Sequence, residues 1–162
     1  MTGLYLLAFV ILQRLAELVY ANANTKKLLA AGAIEHQAKH YGLIVAVHVS
    51  WLATLIWLAP GRPVWVSFLI IYLVLQVFRV WVFISLGRRW TTRIITVPGE
   101  TLVARGPYRF FRHPNYLVVS GEIACLPLVF GLWEVAAIFS LLNTIVLTIR
   151  IKAEEEALAP LR

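Results

Sequence analysis

Val64-Trp65-Val66-Ser67-Phe68-Leu69-Ile70-Ile71-Tyr72-Leu73-Val74-Leu75-Gln76-Val77-Phe78-Arg79-Val80-Trp81-Val82-Phe83-Ile84-Ser85-Leu86 is apolar at almost every position and carries one charge, Arg79. A helix needs about 20 mostly apolar residues to cross the hydrocarbon core of a bilayer, so this stretch reads as a transmembrane span. Outward from it, residues 2–20, 41–59, 115–130 and 135–149 read the same way. The last two are short, and Gly131-Leu132-Trp133-Glu134 between them predicts a tight helical hairpin. The expected fold is an all-α integral membrane protein of about five transmembrane helices, with residues 1–162 forming one membrane-embedded domain. Composition agrees. Of the 162 residues, 60% are apolar and 14% charged, where soluble domains carry about 25% charged residues. The mean hydropathy is +0.79. A water-facing soluble enzyme is excluded.

Fifteen Lys and Arg oppose 8 acidic residues, for a net charge of +7. In a membrane protein such an excess reads as positive-inside anchoring, and no nucleic-acid partner is expected. The cations cluster. Lys26, Lys27 and Lys39 lie in segment 21–40; Arg88, Arg89, Arg93, Arg105, Arg109 and Arg112 lie in segment 87–113; Arg150, Lys152 and Arg162 lie in the tail. These places alternate with nearly bare turns at 60–63 and 131–134, which predicts an outer N-terminus and a cytoplasmic C-terminus, in a bacterial inner or plasma membrane. Ala21-Asn22-Ala23 resembles a signal-peptide cleavage site, but Met1-Thr2-Gly3 lacks a cation, and Gln13, Arg14 and Glu17 interrupt the apolar run. Cleavage is not expected. All the acids are Glu, which excludes a Ser-His-Asp triad, and no two glycines are spaced as the Rossmann and P-loop phosphate cradles require. Cys125 is the only cysteine, so neither a disulfide framework nor a cysteine metal site is available.

Polar groups at membrane depth are costly and mark sites by default. Arg14, Glu17, His48, Arg79, Glu122 and Asn143 all fall in the predicted cytoplasmic half, about 5–12 Å deep at 1.5 Å per residue. One reading has Arg14 and Arg79 snorkelling to the headgroups, with Arg14 paired to Glu17 at i,i+3. Another gathers Glu122 and His48 with the arginines around a polar cavity open to the cytoplasm. A purely structural ion-pair cluster is the third. Segment 87–113 is the longest connection and is arginine-rich, as expected of a binding loop. In it, residues 93–97 and 100–104 flank Pro98-Gly99 and predict a short hairpin.

The chemically informative stretch is Gly106-Pro107-Tyr108-Arg109-Phe110-Phe111-Arg112-His113-Pro114-Asn115-Tyr116. Pro114 suits a first helical turn, which places His113 at the N-cap. The free amides of that turn, with Arg112 and His113 as added donors, make an anion-binding arrangement. A second cluster, Arg150-Ile151-Lys152-Ala153-Glu154-Glu155-Glu156, continues the last span. It sets Arg150 and Glu154 on one helix face at i,i+4.

Together these stretches resemble the isoprenylcysteine carboxyl methyltransferase family of integral membrane enzymes and their bacterial relatives. The resemblance covers roughly residues 87–162. It rests on the pattern G-x-Y-x-x-x-R-H-P-x-Y at 106–116, then a helical hairpin, then R-x-x-x-E-E-x-x-L at 150–158. The resemblance implies transfer of a methyl group from S-adenosylmethionine to a lipophilic acceptor in the bilayer, among membrane lipids, with the loop and C-terminal helix forming the cofactor site. By matching position, Glu100, Thr101, Leu102, Val103, Tyr108, His113, Pro114, Asn115, Tyr116 and Glu154 would line the cofactor, and Arg150 would approach the substrate. A carboxylate acceptor needs no base. A hydroxyl acceptor must lose its proton, and Glu122, Glu155 and His48 are the candidate bases, Glu122 lying outside the family pattern.

Two other classes remain open on sequence: an NADPH-dependent membrane reductase of the sterol-reductase type, which carries a similar G-P-Y and R-H-P-x-Y, and a small transporter or scaffold. Glu35, His36, His40 and His48 form no H-E-x-x-H pattern. They read as interfacial residues, with no metal expected.

Overall fold

The computed structural model describes residues 2–36 and 41–161. Five helices carry the chain: α1 (Thr2–Ala30), α2 (Tyr41–Leu58), α3 (Val66–Leu86), α4 (Pro114–Val129) and α5 (Trp133–Leu158). Four of them are long and apolar enough to cross a membrane. α4 is the short one, with 16 residues covering about 24 Å at 1.5 Å each. The protein is a multi-pass membrane protein, as its composition requires. Large apolar side chains such as Leu4, Phe9, Trp57, Val77 and Leu141 cover the outside. A water-soluble protein would bury most of them.

α1 runs well past the expected end at residue 20. Ala, Asn, Thr and Lys continue the helix to Ala30, and Asn24 anchors this extension by donating to the carbonyls of Trp90 (3.0 Å) and Gly87 (3.3 Å) beyond α3. α4 and α5 form the expected hairpin. Pro127 lies near the end of α4, and its carbonyl accepts from the amides of Phe130 and Leu132, closing the turn. α3 packs mainly on α4, α4 on α5, and α5 on α2, while α1 is held more sparsely.

The interior is layered. Leu7, Val10, Trp51, Leu55, Tyr72, Ile123, Leu126 and Phe139 form one apolar core. Ala21, Val82, Trp90 and Val118 form a smaller one near the 87–113 loop. Between them, α1, α3 and α4 each contribute charge. The Glu122 carboxylate accepts from Arg14 at 2.6 Å, from Arg79 at 2.8 Å and from Gln76 at 2.7 Å. Glu17 accepts from Arg14 at 3.2 Å and from Arg79 through both Nε (2.6 Å) and Nη2. Arg79 is 4% exposed and Glu122 1% exposed. Snorkelling is therefore overturned for both arginines. Two carboxylates in reach offer each guanidinium several charge-assisted bonds, more than headgroup water would return.

A second correction concerns segment 93–104. Ile94–Thr96 is a strand, β2, but its partner is not 100–104. It pairs antiparallel with β1 (Ile34–His36), in the register Ile34↔Thr96, Glu35↔Ile95 and His36↔Ile94. Arg93 meets Glu35 at 2.9 Å, and the His36 ring shares a 2.8 Å hydrogen bond with Thr96 Oγ1. Residues 100–104 are irregular and turn to Arg89, which donates to the Thr101 carbonyl at 2.7 Å and pairs with Glu100. Lys39 and His40 lie outside the described residues.

Removing one partner of a buried ion pair strands the others in low dielectric, at a cost of about 3–5 kcal/mol. Glu122→Ala is expected to lose stability on that scale, read as a lowered Tm in detergent micelles. Glu134→Ala, at the α4–α5 turn, is expected to leave Tm nearly unchanged.

Candidate functional site

Segment 106–116 folds as its residues dictate. Gly106 adopts φ +58°, and a Cβ there would stand 2.1 Å from Ser85 Oγ. Only glycine lets the loop lie this close to the end of α3. Arg105 fastens the same point by donating to the Ser85 carbonyl at 2.9 Å. Pro107 opens a 3-10 turn at Gly106–Arg109. His113 takes φ −131° ahead of Pro114, which begins α4, as the pre-proline restriction demands. Its side chain makes no cap bond. The ring reaches across to α5 instead, with Nδ1 3.6 Å from Glu154 and Nε2 3.4 Å from Glu155. It also stacks on Tyr116, 5.5 Å between centroids. His113 is thus engaged with carboxylates, and both expected extra anion donors, Arg112 and His113, line the cavity described next.

Beneath the loop lies a cavity of about 670 Å³, within the roughly 300–1,000 Å³ usual for small-molecule sites. Its loop-end wall contains Glu100, Thr101, Leu102, Val103, Tyr108, His113, Asn115, Tyr116, Arg150 and Glu154. Pro114 is buried behind this wall, and Glu155 and Glu122 are not among the lining residues. Arg150 and Glu154, expected on one helix face, are linked through Tyr116, whose Oη donates to Glu154 and accepts from Arg150 Nε at 3.2 Å. Arg150 Nη2 donates to the Thr92 carbonyl at 3.0 Å. Its Nη1 is buried with no partner among the described residues, in a side chain only 6% exposed. Asn115 Oδ1 is a second orphan on this wall. Buried polar groups are rarely left unpaired without a ligand or water to take them.

The cavity continues to membrane level, where Ile44, Val45, His48, Trp51 and Leu52 of α2 face Arg14, Glu17 and Leu18 of α1, with Arg79, Val119 and Leu147 completing the wall. Leu18 and Val45 line the cavity and are 43% and 41% exposed. Sequence reasoning missed Tyr41, Thr91, Thr92 and Trp51. Trp51 sits one turn from His48 and was findable by helical spacing. Thr92 enters through its backbone carbonyl, which leaves no mark in a sequence.

The model of the isoprenylcysteine carboxyl methyltransferase (ICMT) family matches residues 68–160. The chain belongs to that family. It is therefore a relative of S-adenosylmethionine-dependent methyltransferases. It is 39% identical over 158 residues to the uncharacterized protein YpbQ of Bacillus subtilis (strain 168), covering 94% of each chain. No solved structure matches it. The family match begins within α3 and takes in the loop, α4 and α5, the elements that build the loop-end wall.

The Glu154 carboxylate, with Glu155 beside it, holds the His113 imidazole above its ordinary value despite partial burial. Burial, and then the charge of Glu154, push the Tyr108 phenol up, so it stays neutral. A raised folded-state value makes the His113 contribution complete below the unfolded pKa of about 6.5. It is lost as pH rises through the folded value. The Tm difference between wild type and His113→Gln is therefore expected to be largest near pH 6 and to shrink toward pH 9. A difference independent of pH would contradict the ion pair. Gly106→Ala is expected to lower stability by about 1–3 kcal/mol, through overpacking against Ser85.

Proposed function

We propose that this protein transfers a methyl group from S-adenosylmethionine to an oxygen, carboxyl or hydroxyl, of a lipophilic acceptor drawn from the bilayer, with the loop end on the cytoplasmic side. The observation that carries this reading is one cavity with two characters: polar under the loop, more apolar where α2 lines it at membrane level, with Arg150 Nη1 in its wall unpartnered among the described residues. A methyl donor that is cationic and zwitterionic needs carboxylates, aromatic faces and a cation. Glu100, Glu154, Tyr108, Tyr116 and Arg112 supply that set in one wall. When bound, S-adenosylmethionine supplies an electrophilic methyl on a positive sulfur.

The chain's own contribution is positioning and exclusion of water. Tyr116 holds Glu154 and Arg150 at fixed separation. Arg150 Nη1 is the donor left to orient the acceptor oxygen. Thr101 and Glu100, tied to Arg89, hold the loop over the cavity. Glu122, with three donors on its carboxylate and no place in the wall, acts in this reading as a structural tie between α1, α3 and α4 rather than as a base.

S-adenosylmethionine is expected to raise Tm, by an amount equivalent to about 2.7 kcal/mol at 100 times its Kd, and NADPH is expected not to. Stabilisation by NADPH alone would overturn the reading. Arg150→Ala is expected to cut labelled methyl transfer to long-chain acceptors by about 100-fold or more.

A further inference from the structure

α2 presents Tyr41, Ile44, Val45, His48, Trp51 and Leu52 to the cavity, the i, i+3, i+4, i+7 spacing of a single helix face. His48 is at its centre. Its Nδ1 lies 2.8 Å from the Ile44 carbonyl. A carbonyl can only accept, so the neutral ring carries its proton on Nδ1 and Nε2 is a bare acceptor. Nε2 has no hydrogen-bond partner among the described residues, and His48 lines the cavity on that helix face. One turn on, Trp51 is 1% exposed, and its buried indole N–H has no partner among the described residues. A titratable acceptor and an orphaned donor in mid-span are costly to leave without a polar ligand. The neighbouring charges, Arg14 and Glu17 of α1, Arg79 of α3 and Glu122 of α4, are already bonded to one another.

We propose that His48 is a catalytic residue, the base for a hydroxyl-bearing amphiphile, a long-chain phenol or enol, seated in the membrane half of the cavity. The proposal rests on the methyl-transfer reading above and narrows its acceptor. The hydroxyl oxygen forms the new O–C bond to the methyl of the sulfonium donor. The C–S bond breaks with its electron pair left on sulfur, giving a neutral thioether. The hydroxyl proton passes to His48 Nε2 and later to water. A carboxylate acceptor, already ionised, makes no use of this nitrogen.

The test has an arm that needs no methyl donor. A dodecyl-substituted 2-nitrophenol is titrated against the full-length protein in detergent micelles, and its phenolate absorbance is followed with pH. In wild type, the bound probe is expected to ionise at lower pH than in protein-free micelles. In His48→Gln it is expected to bind yet ionise at a higher pH than in wild type. In the second arm, with S-adenosylmethionine, His48→Gln is expected to lower phenol methylation by about 100-fold and fatty-acid methylation much less. Equal ionisation in the two proteins overturns the proposal, as does equal loss on both acceptor classes. Wild-type methylation of carboxylates alone overturns it while leaving the methyl-transfer reading standing. Failure of S-adenosylmethionine to bind removes that reading instead.

Discussion

The interaction on which the rest depends is the charge layer inside the bundle. Two guanidiniums, Arg14 and Arg79, and two carboxylates, Glu17 and Glu122, neutralise one another, with Gln13 and Gln76 filling the remaining bonds. Apolar packing between membrane helices has little directional preference, because lipid tails compete equally well for an apolar face. Paired charges do have a preference. They set α1, α3 and α4 at one depth and one rotation, since a shift of a turn would leave a charge unpaired in hydrocarbon. α1, otherwise sparsely packed, is located mainly by this layer and by Asn24.

The cavity lies beside this layer, whose Arg14, Glu17 and Arg79 form part of its wall. Its upper wall is a separate construction, in which α5 is the common strut. Arg150, through Thr92, holds the segment just beyond α3, and Glu154 and Glu155 hold His113 at the start of α4. β1 and β2 close the outer side by tying the α1–α2 connection to the same loop. The polar end is thus braced from several elements, while the membrane-level end is lined largely by apolar side chains of α2. That asymmetry suits a water-soluble ligand held by fixed groups and a lipid one that slides in.

Much of this was legible in the sequence, and the failures have physical reasons. Hydropathy is a local property, so the spans could be read directly. The extension of α1 could not, because its residues 21–30 are held by Asn24 bonding to carbonyls more than sixty positions away. The partner of β2 was invisible for the same reason: Arg93 and Glu35 are 58 residues apart. A hairpin at Pro98-Gly99 was the nearest local alternative. Depth matching brought Arg14, Arg79 and Glu122 together correctly. It could not show that their charges would balance so fully that Glu122 withdraws from the cavity, leaving His48 as the open group. In the family motif, the matching positions other than Pro114 fell in one wall because the resemblance carried their spatial grouping with it.

The charge layer also has an order of assembly written into it. Arg14 and Glu17 sit on one helix, three residues apart, so α1 can enter the bilayer already neutral. Arg79 has no carboxylate on its own helix, and Glu122 has no cation on its own. Each must find its counter-charge in a segment inserted earlier. The chain emerges from synthesis with the self-sufficient pair first, the lone cation next and the lone anion last. α1 thus holds a partner for Arg79 before Glu122 has been made, and the arrival of Glu122 completes the set. A rearranged gene that put α4 ahead of α1 would keep every contact of the finished protein and deprive its nascent form of that sequence of protections.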